Sequence, residues 1–281
     1  MTLSDMRVER EHICEQYKTK DNLQIRILTH ERYSQPKVDF HKWVLDHISW
    51  TGRETVLDVG CGSAMYAEPV IQRCHRYIPA DLSFGMLKGL AAPLLDRVNL
   101  DATSIPMGGG AVEVVLANHM LYHVPELDEA VREIHRVLKP GGVLIAATNS
   151  DDYMPELAEL QARLARKFSI ASTDQWENPA KVVYTFSLEN GRRILKPVFK
   201  HIERYDLPGS LVFSDSEPLI DYLGSMRKSF KFNYPPGVTW KDVVSALRDE
   251  IDRQIVKNGE FRINKLAGVF VCQKEILQSS G

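Results

Sequence analysis

Residues 56–64, Val-Leu-Asp-Val-Gly-Cys-Gly-Ser-Ala, constrain this 281-residue chain more than any other stretch. A β-branched apolar run leads straight into Asp-x-Gly-x-Gly, and helical spacing resumes over Ala67–Arg73. A buried strand, a tight turn and a helix in this order form half of a parallel βαβ unit. The glycines permit a sharp turn and close backbone approach to a ligand, and the helix presents free N–H groups at its start. A dinucleotide fold would place a third glycine where Met65 stands, to seat a pyrophosphate. Asp58, ahead of the glycines, is a poor neighbour for an anion.

The alternation continues to about Thr148. Thr55–Val59, Arg76–Ala80, Arg97–Leu100, Val112–Ala117 and Val143–Thr148 read as strands, and Ser83–Ala91, with Ser83 as N-cap, and Leu127–Leu138 as helices. Pro140-Gly141-Gly142 stops the second of these helices before the fifth strand. The strand ends are polar. Asp58 closes the first and suits an amino group and a cationic sulfonium. Asp81 closes the second and can accept both hydrogen bonds of a ribose diol. Asp101 follows the third, where it can accept from an adenine amino group, and the fourth runs into Asn118-His119-Met120-Leu121-Tyr122-His123. In a parallel sheet these residues share one edge, the edge at which open α/β sheets bind ligands.

At this point the sequence resembles the class I S-adenosylmethionine-dependent methyltransferases. Asp58-Val59-Gly60-Cys61-Gly62 is similar to that family's first motif, and Asp81-Leu82-Ser83-Phe84-Gly85-Met86-Leu87 to its second-strand motif. Asp101-Ala102 resembles its adenine contact, and Val137-Leu138-Lys139-Pro140-Gly141-Gly142 its turn before strand five. The resemblance implies a Rossmann-like α/β fold: a seven-stranded, mostly parallel sheet with helices on both faces and an antiparallel seventh strand, for which Leu266–Cys272 is the candidate. It implies S-adenosylmethionine as cofactor, S-adenosylhomocysteine as product, and a small-molecule methyl acceptor. Asp58, Gly60, Cys61, Gly62, Asp81, Leu82, Met86, Asp101, Ala102 and Asn118 are the expected cofactor contacts. Tyr17 and Arg32 join them from an N-terminal helical lid, where similar proteins meet the methionine carboxylate. Two departures stand out: Ala64 takes the place of the family's third glycine, and Val112-Glu113 replaces a Phe-Asp pair at the start of strand four.

The chain reads as one methyltransferase domain. Residues 1–50 form the lid, 51–150 the cofactor core, 151–265 a variable acceptor-side insertion after strand five, and 266–281 the last strand and tail. Within the insertion, Met154–Phe168, Pro218–Phe230 and Lys241–Lys257 carry helical spacing and Lys200–Leu207 that of a strand. Tyr153, Trp176, Tyr184, Tyr222, Tyr234 and Trp240 can wall an acceptor pocket, although core packing is the commoner fate of such rings.

His119 and His123 are the candidate catalytic residues, with His119 preferred as general base because it lies nearer the strand end. Their spacing can present two imidazoles on one helical face. No His-Glu-x-x-His pattern and no obvious third ligand accompany them, so no metal is expected. Cys61 reads as a small buried hydrophobe beside the loop. A net charge of −2 and a pI near 6.5 supply no basic field for nucleic acid. The apolar runs are too short for a membrane span, the first residues lack a signal-peptide core, and the four scattered cysteines suit a reducing cytoplasm. Two other functions compete: an inactive methyltransferase-fold adaptor, which intact acids at three strand ends disfavour, and an NAD-dependent oxidoreductase, which Met65 and Asp58 disfavour.

Overall fold

A computed structural model describes residues 20–88, 96–169, 185–226 and 237–276. The chain divides into two compact units interleaved along the sequence, where sequence reasoning expects one domain in consecutive regions. One unit comprises Asp39–Asp151, Val182–Leu207 and Ala267–Gly281, and the other Met1–Val38, Asp152–Lys181 and Pro208–Leu266.

The first of these is the α/β unit. It holds α2 (Phe40–Leu45), β2 (Thr55–Val59), α3 (Ala67–Ile71), β3 (Arg76–Asp81), α4 (Phe84–Lys88), β4 (Val98–Asn99), β5 (Val112–Leu116), a 3-10 turn (Leu121–His123), α5 (Leu127–Val137), β6 (Leu138–Asn149) and α7 (Gly191–Leu195). β7 (His201–Phe213) and β8 (Phe261–Gln273) run through both units. The other unit holds α1 (Lys20–Tyr33), β1 (Ser34–Gln35), α6 (Pro155–Lys167), α8 (Glu217–Ser225) and α9 (Trp240–Asn258).

The strands are ordered β1-β7-β8-β6-β5-β2-β3-β4. β4, β3, β2, β5 and β6 pair in parallel, and β8 pairs antiparallel with β6 from Val143/Gln273 to Asn149/Ala267. The antiparallel last strand expected at Leu266–Cys272 is therefore present and begins earlier. The sheet has eight strands against the seven expected, because the two-residue β1 pairs with β7 at Ser34/Leu211.

Successive residues Val56 and Leu57, Val114 and Val115, and Leu144 and Ile145 are all buried. Neighbouring strand residues point to opposite faces, so both faces are covered, as a parallel sheet requires. On one face Val56, Tyr77, Val114, Leu116, Ile145, Ala147 and Val269 pack with Val44 and Leu45 of α2 and Val70 of α3. The amphipathic helix α5 buries Ala130, Val131, Ile134 and Val137 at helical spacing. It ends one residue before the predicted limit, and strand begins at Leu138, ahead of Pro140-Gly141-Gly142. Glu113 is a clamp: it accepts from the Thr55 N–H at 2.8 Å and pairs with Lys139, linking β5 to β2 and β6 at their amino ends.

In the other unit, Met154, Leu160, Leu164, Leu219, Tyr222, Leu223, Val243, Leu247 and Ile251 form an apolar core, with Tyr153 and Trp240 packed against it. Three of the six aromatics considered as pocket walls therefore contribute to packing; Trp176, Tyr184 and Tyr234 lie outside the described residues. Thr239 and Asp242 form a capping box on α9, and Gly259 closes it with left-handed backbone.

Gly268 is the tightest point of β8. A Cβ there would sit 2.5 Å from the Tyr205 carbonyl oxygen. Gly268→Ala is expected to destabilise the α/β unit by about 1–3 kcal/mol through overpacking, read as a lower urea midpoint at unchanged m-value.

Candidate functional site

β2 and β3 pair in register from Thr55/Arg76 to Val59/Ala80, which brings Asp58 and Asp81 to adjacent strand ends. Asp58 is only 2% exposed. Its cross-strand partner is Pro79, so Tyr77, two residues earlier on β3, stands on the same face within diagonal reach. The Tyr77 hydroxyl donates to Asp58 Oδ2 at 2.6 Å. Burial pushes the Asp58 carboxyl up to about 7; the Tyr77 hydrogen bond opposes the rise and the Asp81 charge adds to it.

The turn after β2 has left-handed backbone at Gly60, Gly62 and Ala64. Gly60 is required twice over, since a Cβ there would also lie 2.7 Å from Met120 Cβ. Ala64, with φ of 53°, holds a conformation that costs a side-chain-bearing residue about 1 kcal/mol. The turn is tied to β3. Cys61 N–H donates to the Ala80 carbonyl at 3.0 Å, and Gly62 N–H to Asp81 Oδ2 at 2.8 Å. Ser83 N–H donates to Asp81 Oδ1 at 2.7 Å. Each Asp81 oxygen thus has a backbone donor and keeps a further lone pair for a ligand. The start of α4, expected to be capped by Ser83, is organised by Asp81 and by the Ser83 carbonyl, which accepts from Met86 N–H at 3.0 Å. Leu82 is 49% exposed, and Met86 Cε lies 3.6 Å from where a Gly62 Cβ would be, so both border the loop. Met65 is exposed.

Asp101 Oδ1 accepts from the Thr103 N–H and hydroxyl at 3.0 and 2.8 Å, a local Asx turn. Ala102 beside it is buried. At the end of β5, Asn118 Oδ1 accepts from Ala147 N–H at 3.0 Å, while its Nδ2 is buried with no hydrogen-bond partner. Asn118 thus braces β6 with one end of its amide and leaves the other unused.

His119 has left-handed backbone with φ of 54°, and its N–H donates to the Ala147 carbonyl at 2.8 Å. Its ring lies 5.5 Å from Phe40 and 6.4 Å from Tyr122. Burial above all, with His41 and His123 adding, pulls the imidazole down to about 4. His123 sits on the 3-10 turn, its ring 4.6 Å from Tyr122. The two histidines do not share an α-helical face, because the left-handed residue at 119 breaks any helix between them.

Sequence reasoning missed Phe40, His41, Tyr66 and Tyr77. His41 packs edge-on against Tyr66 at 4.7 Å, and burial lowers its pKa against the opposing pull of Asp39. The Tyr66 hydroxyl is buried without a hydrogen-bond partner, and burial with the charges of Asp58 and Asp39 keeps its proton on. Tyr77 had a findable signal: once β2 and β3 are set parallel with their Asp ends level, it falls diagonally from Asp58. Cys61 is half-buried; burial raises its thiol pKa, and the Asp58 and Asp81 charges raise it further. Arg32 belongs to the other unit, exposed on the last turn of α1, where its carbonyl accepts from Lys37 Nζ at 2.6 Å. Tyr17 lies outside the described residues. Among the described residues, no three His, Cys, Asp or Glu side chains are grouped to hold a metal, and no helix is long and apolar enough to cross a membrane.

Comparison with known proteins finds similar sequences and folds. The family described as a methyltransferase domain matches residues 57–146. The demethylmenaquinone methyltransferase of Renibacterium salmoninarum is 29% identical over 148 residues, 52% of this chain and 62% of that one. The malonyl-[acyl-carrier protein] O-methyltransferase of a Methylovorus species is 33% identical over 117 residues, 37% of this chain and 40% of that one. The chain thus spans about half the length of these curated relatives. In fold it is similar to a candidate methyltransferase from Bacillus halodurans, at a TM-score of 0.57 and 18% identity, covering 85% of this chain and all of that one. It is also similar to the [4+2]-cyclase SpnF, at 0.52 and 20%, covering 84% and 80%. Over residues 57–146 the chain is thus similar to a methyltransferase domain.

Two outcomes follow from the backbone and the buried acid. Ala64→Gly should stabilise the protein by about 1 kcal/mol by relieving left-handed strain, read from chemical denaturation. Asp58 has a folded pKa above its unfolded value, so the folded state binds the extra proton and Asp58 lowers stability as pH rises from about 4 to about 7. Asp58→Asn should therefore gain stability over the wild type across that interval, by up to about 4 kcal/mol at pH 8, in denaturation series at fixed ionic strength.

Proposed function

We propose that this chain transfers the methyl group of S-adenosylmethionine to a small-molecule acceptor at the β2, β3 and β5 ends. The observation that carries this reading is the preset state of Asp81, held through both oxygens by amides of the glycine turn and the α4 start, beside the buried carboxylate of Asp58. An acceptor of two hydroxyl hydrogen bonds next to an acceptor for a cationic amine fits a ribose joined to an amino acid, and fits a pyrophosphate poorly.

In this reading Asp58 receives the amino group and Asp81 the ribose hydroxyls. Asp101 and Ala102 border the adenine, with Leu82 and Met86 packing against it. Gly60, Cys61 and Gly62 provide the backbone wall, and Asn118 offers its unused amide N–H. When bound, the cofactor supplies a sulfonium-activated methyl group, which leaves alignment and exclusion of water to the protein. His119 is neutral at physiological pH and can accept a hydrogen bond from an acceptor O–H or N–H. With a pKa near 4 it orients the acceptor more readily than it keeps the acceptor's proton. His123 bears on the site through its electrostatic coupling to His119. The names of the two curated relatives support methylation of a small chemical group and differ in acceptor, so acceptor choice is assigned here to the residues around His119.

Calorimetric titration with S-adenosylmethionine and S-adenosylhomocysteine tests the reading. Both should bind in the micromolar range, NADH should not, and Asp81→Ala should weaken binding at least about tenfold by removing a charge-assisted acceptor and releasing the Gly62 and Ser83 amides. Absence of binding by the wild type would remove the methyltransferase reading and favour an adaptor.

A further inference from the structure

We propose that Tyr77 is a positioning residue for the cofactor's amino group: its hydroxyl fixes one oxygen of Asp58 and favours the charged form of that carboxylate, leaving the other oxygen for the ligand. The inference deepens the S-adenosylmethionine reading and rests on it.

The geometry is specific. Asp58 Oδ2 takes the Tyr77 proton at 2.6 Å, and the two residues are 2% and 4% exposed. No water competes for a hydrogen bond so buried, and a short bond from a neutral donor to a carboxylate is among the stronger kinds. The bond also restrains the side-chain rotation of Asp58, because its donor comes from a packed ring on the neighbouring strand. Among the described residues the remaining Asp58 oxygen accepts no hydrogen bond, whereas both Asp81 oxygens are occupied by amides. The two acids are thus prepared differently: Asp81 is held by backbone, Asp58 by one side chain that a single substitution removes.

Every neighbouring titratable group makes charging Asp58 harder or leaves it to Tyr77. On β3, Asp81 repels it. The Cys61 thiol in the turn and the Tyr66 phenol at the start of α3 feel its charge and stay protonated. On the β5 side its partner is the apolar Leu116. Tyr77 supplies the opposing hydrogen bond, and its own proton is held on by burial and by Asp58. Ligand affinity therefore depends on whether Asp58 is ionised, within the range a cell occupies.

The test is the affinity for S-adenosylhomocysteine between pH 5.5 and 8.5 in wild type, Tyr77→Phe, Asp58→Asn and the double variant, each checked for folding by circular dichroism. Wild-type affinity should rise with pH and level off. Tyr77→Phe should move the midpoint up by about one pH unit, a loss of about fivefold at pH 7 that narrows to within about twofold at pH 8.5. In the Asp58→Asn background the Tyr77→Phe effect should vanish. A carbon-13 carboxyl titration of Asp58 without ligand should show the same upward shift. An equal loss at every pH would make Tyr77 merely structural and overturn the proposal, as would wild-type affinity independent of pH, while cofactor binding would stand in both cases. Failure of the wild type to bind at any pH would instead overturn the methyltransferase reading.

Discussion

Asp81 sits where three pieces of the α/β unit meet. Its carboxylate gathers the Gly62 amide from the turn after β2 and the Ser83 amide from the start of α4, while its carbonyl takes the side-chain amide of Asn99, the last residue of β4, and the Leu100 N–H just after it. The three backbone donors among them sit at a strand end or a helix start, where the regular ladder leaves N–H groups without a partner. The same residue that closes these backbone valences presents the remaining lone pairs outward. In the proposed reading structure and recognition share one carboxylate, so the loop's shape and the ligand's seat form together.

Around that point the electrostatics are graded by depth. Asp58 lies in the core with a tyrosine partner, Asp81 is half-buried among amides, and Asp101 turns its own loop. The histidine side of the edge is uncharged: His41 and His119 are both driven toward the neutral form by burial. A buried acid and neutral imidazoles at neighbouring strand ends divide the edge into an ionic half and an apolar, aromatic half. That division suits a charged cofactor beside an acceptor that gives up its proton late or not at all.

Much of this was legible in the sequence because it is local. The Asp58 turn, the Asp81 strand end, the α5 periodicity and the last strand each announce themselves within a dozen residues. Partners set by strand register were not legible. Tyr77 reads as an ordinary strand aromatic until β2 and β3 are aligned, and His41 reads as part of an N-terminal helix until that helix is packed beside the α3 start. Left-handed backbone at Ala64 and His119 escaped for a related reason, since neither residue type signals it. The division into two units is equally non-local, made by segments that alternate along the chain.

The antiparallel pairing of β8 with β6 has a consequence for what counts as a part of this protein. The match to the family model ends at residue 146, yet the strand it ends in pairs from Val143 to Asn149 with residues 267–273 of β8. A piece cut to the recognisable sequence would carry the glycine turn and all three aspartates and would still present a bare row of N–H and C=O groups along β6. Such an edge recruits any strand it meets, so the excised piece is expected to self-associate before it could bind anything.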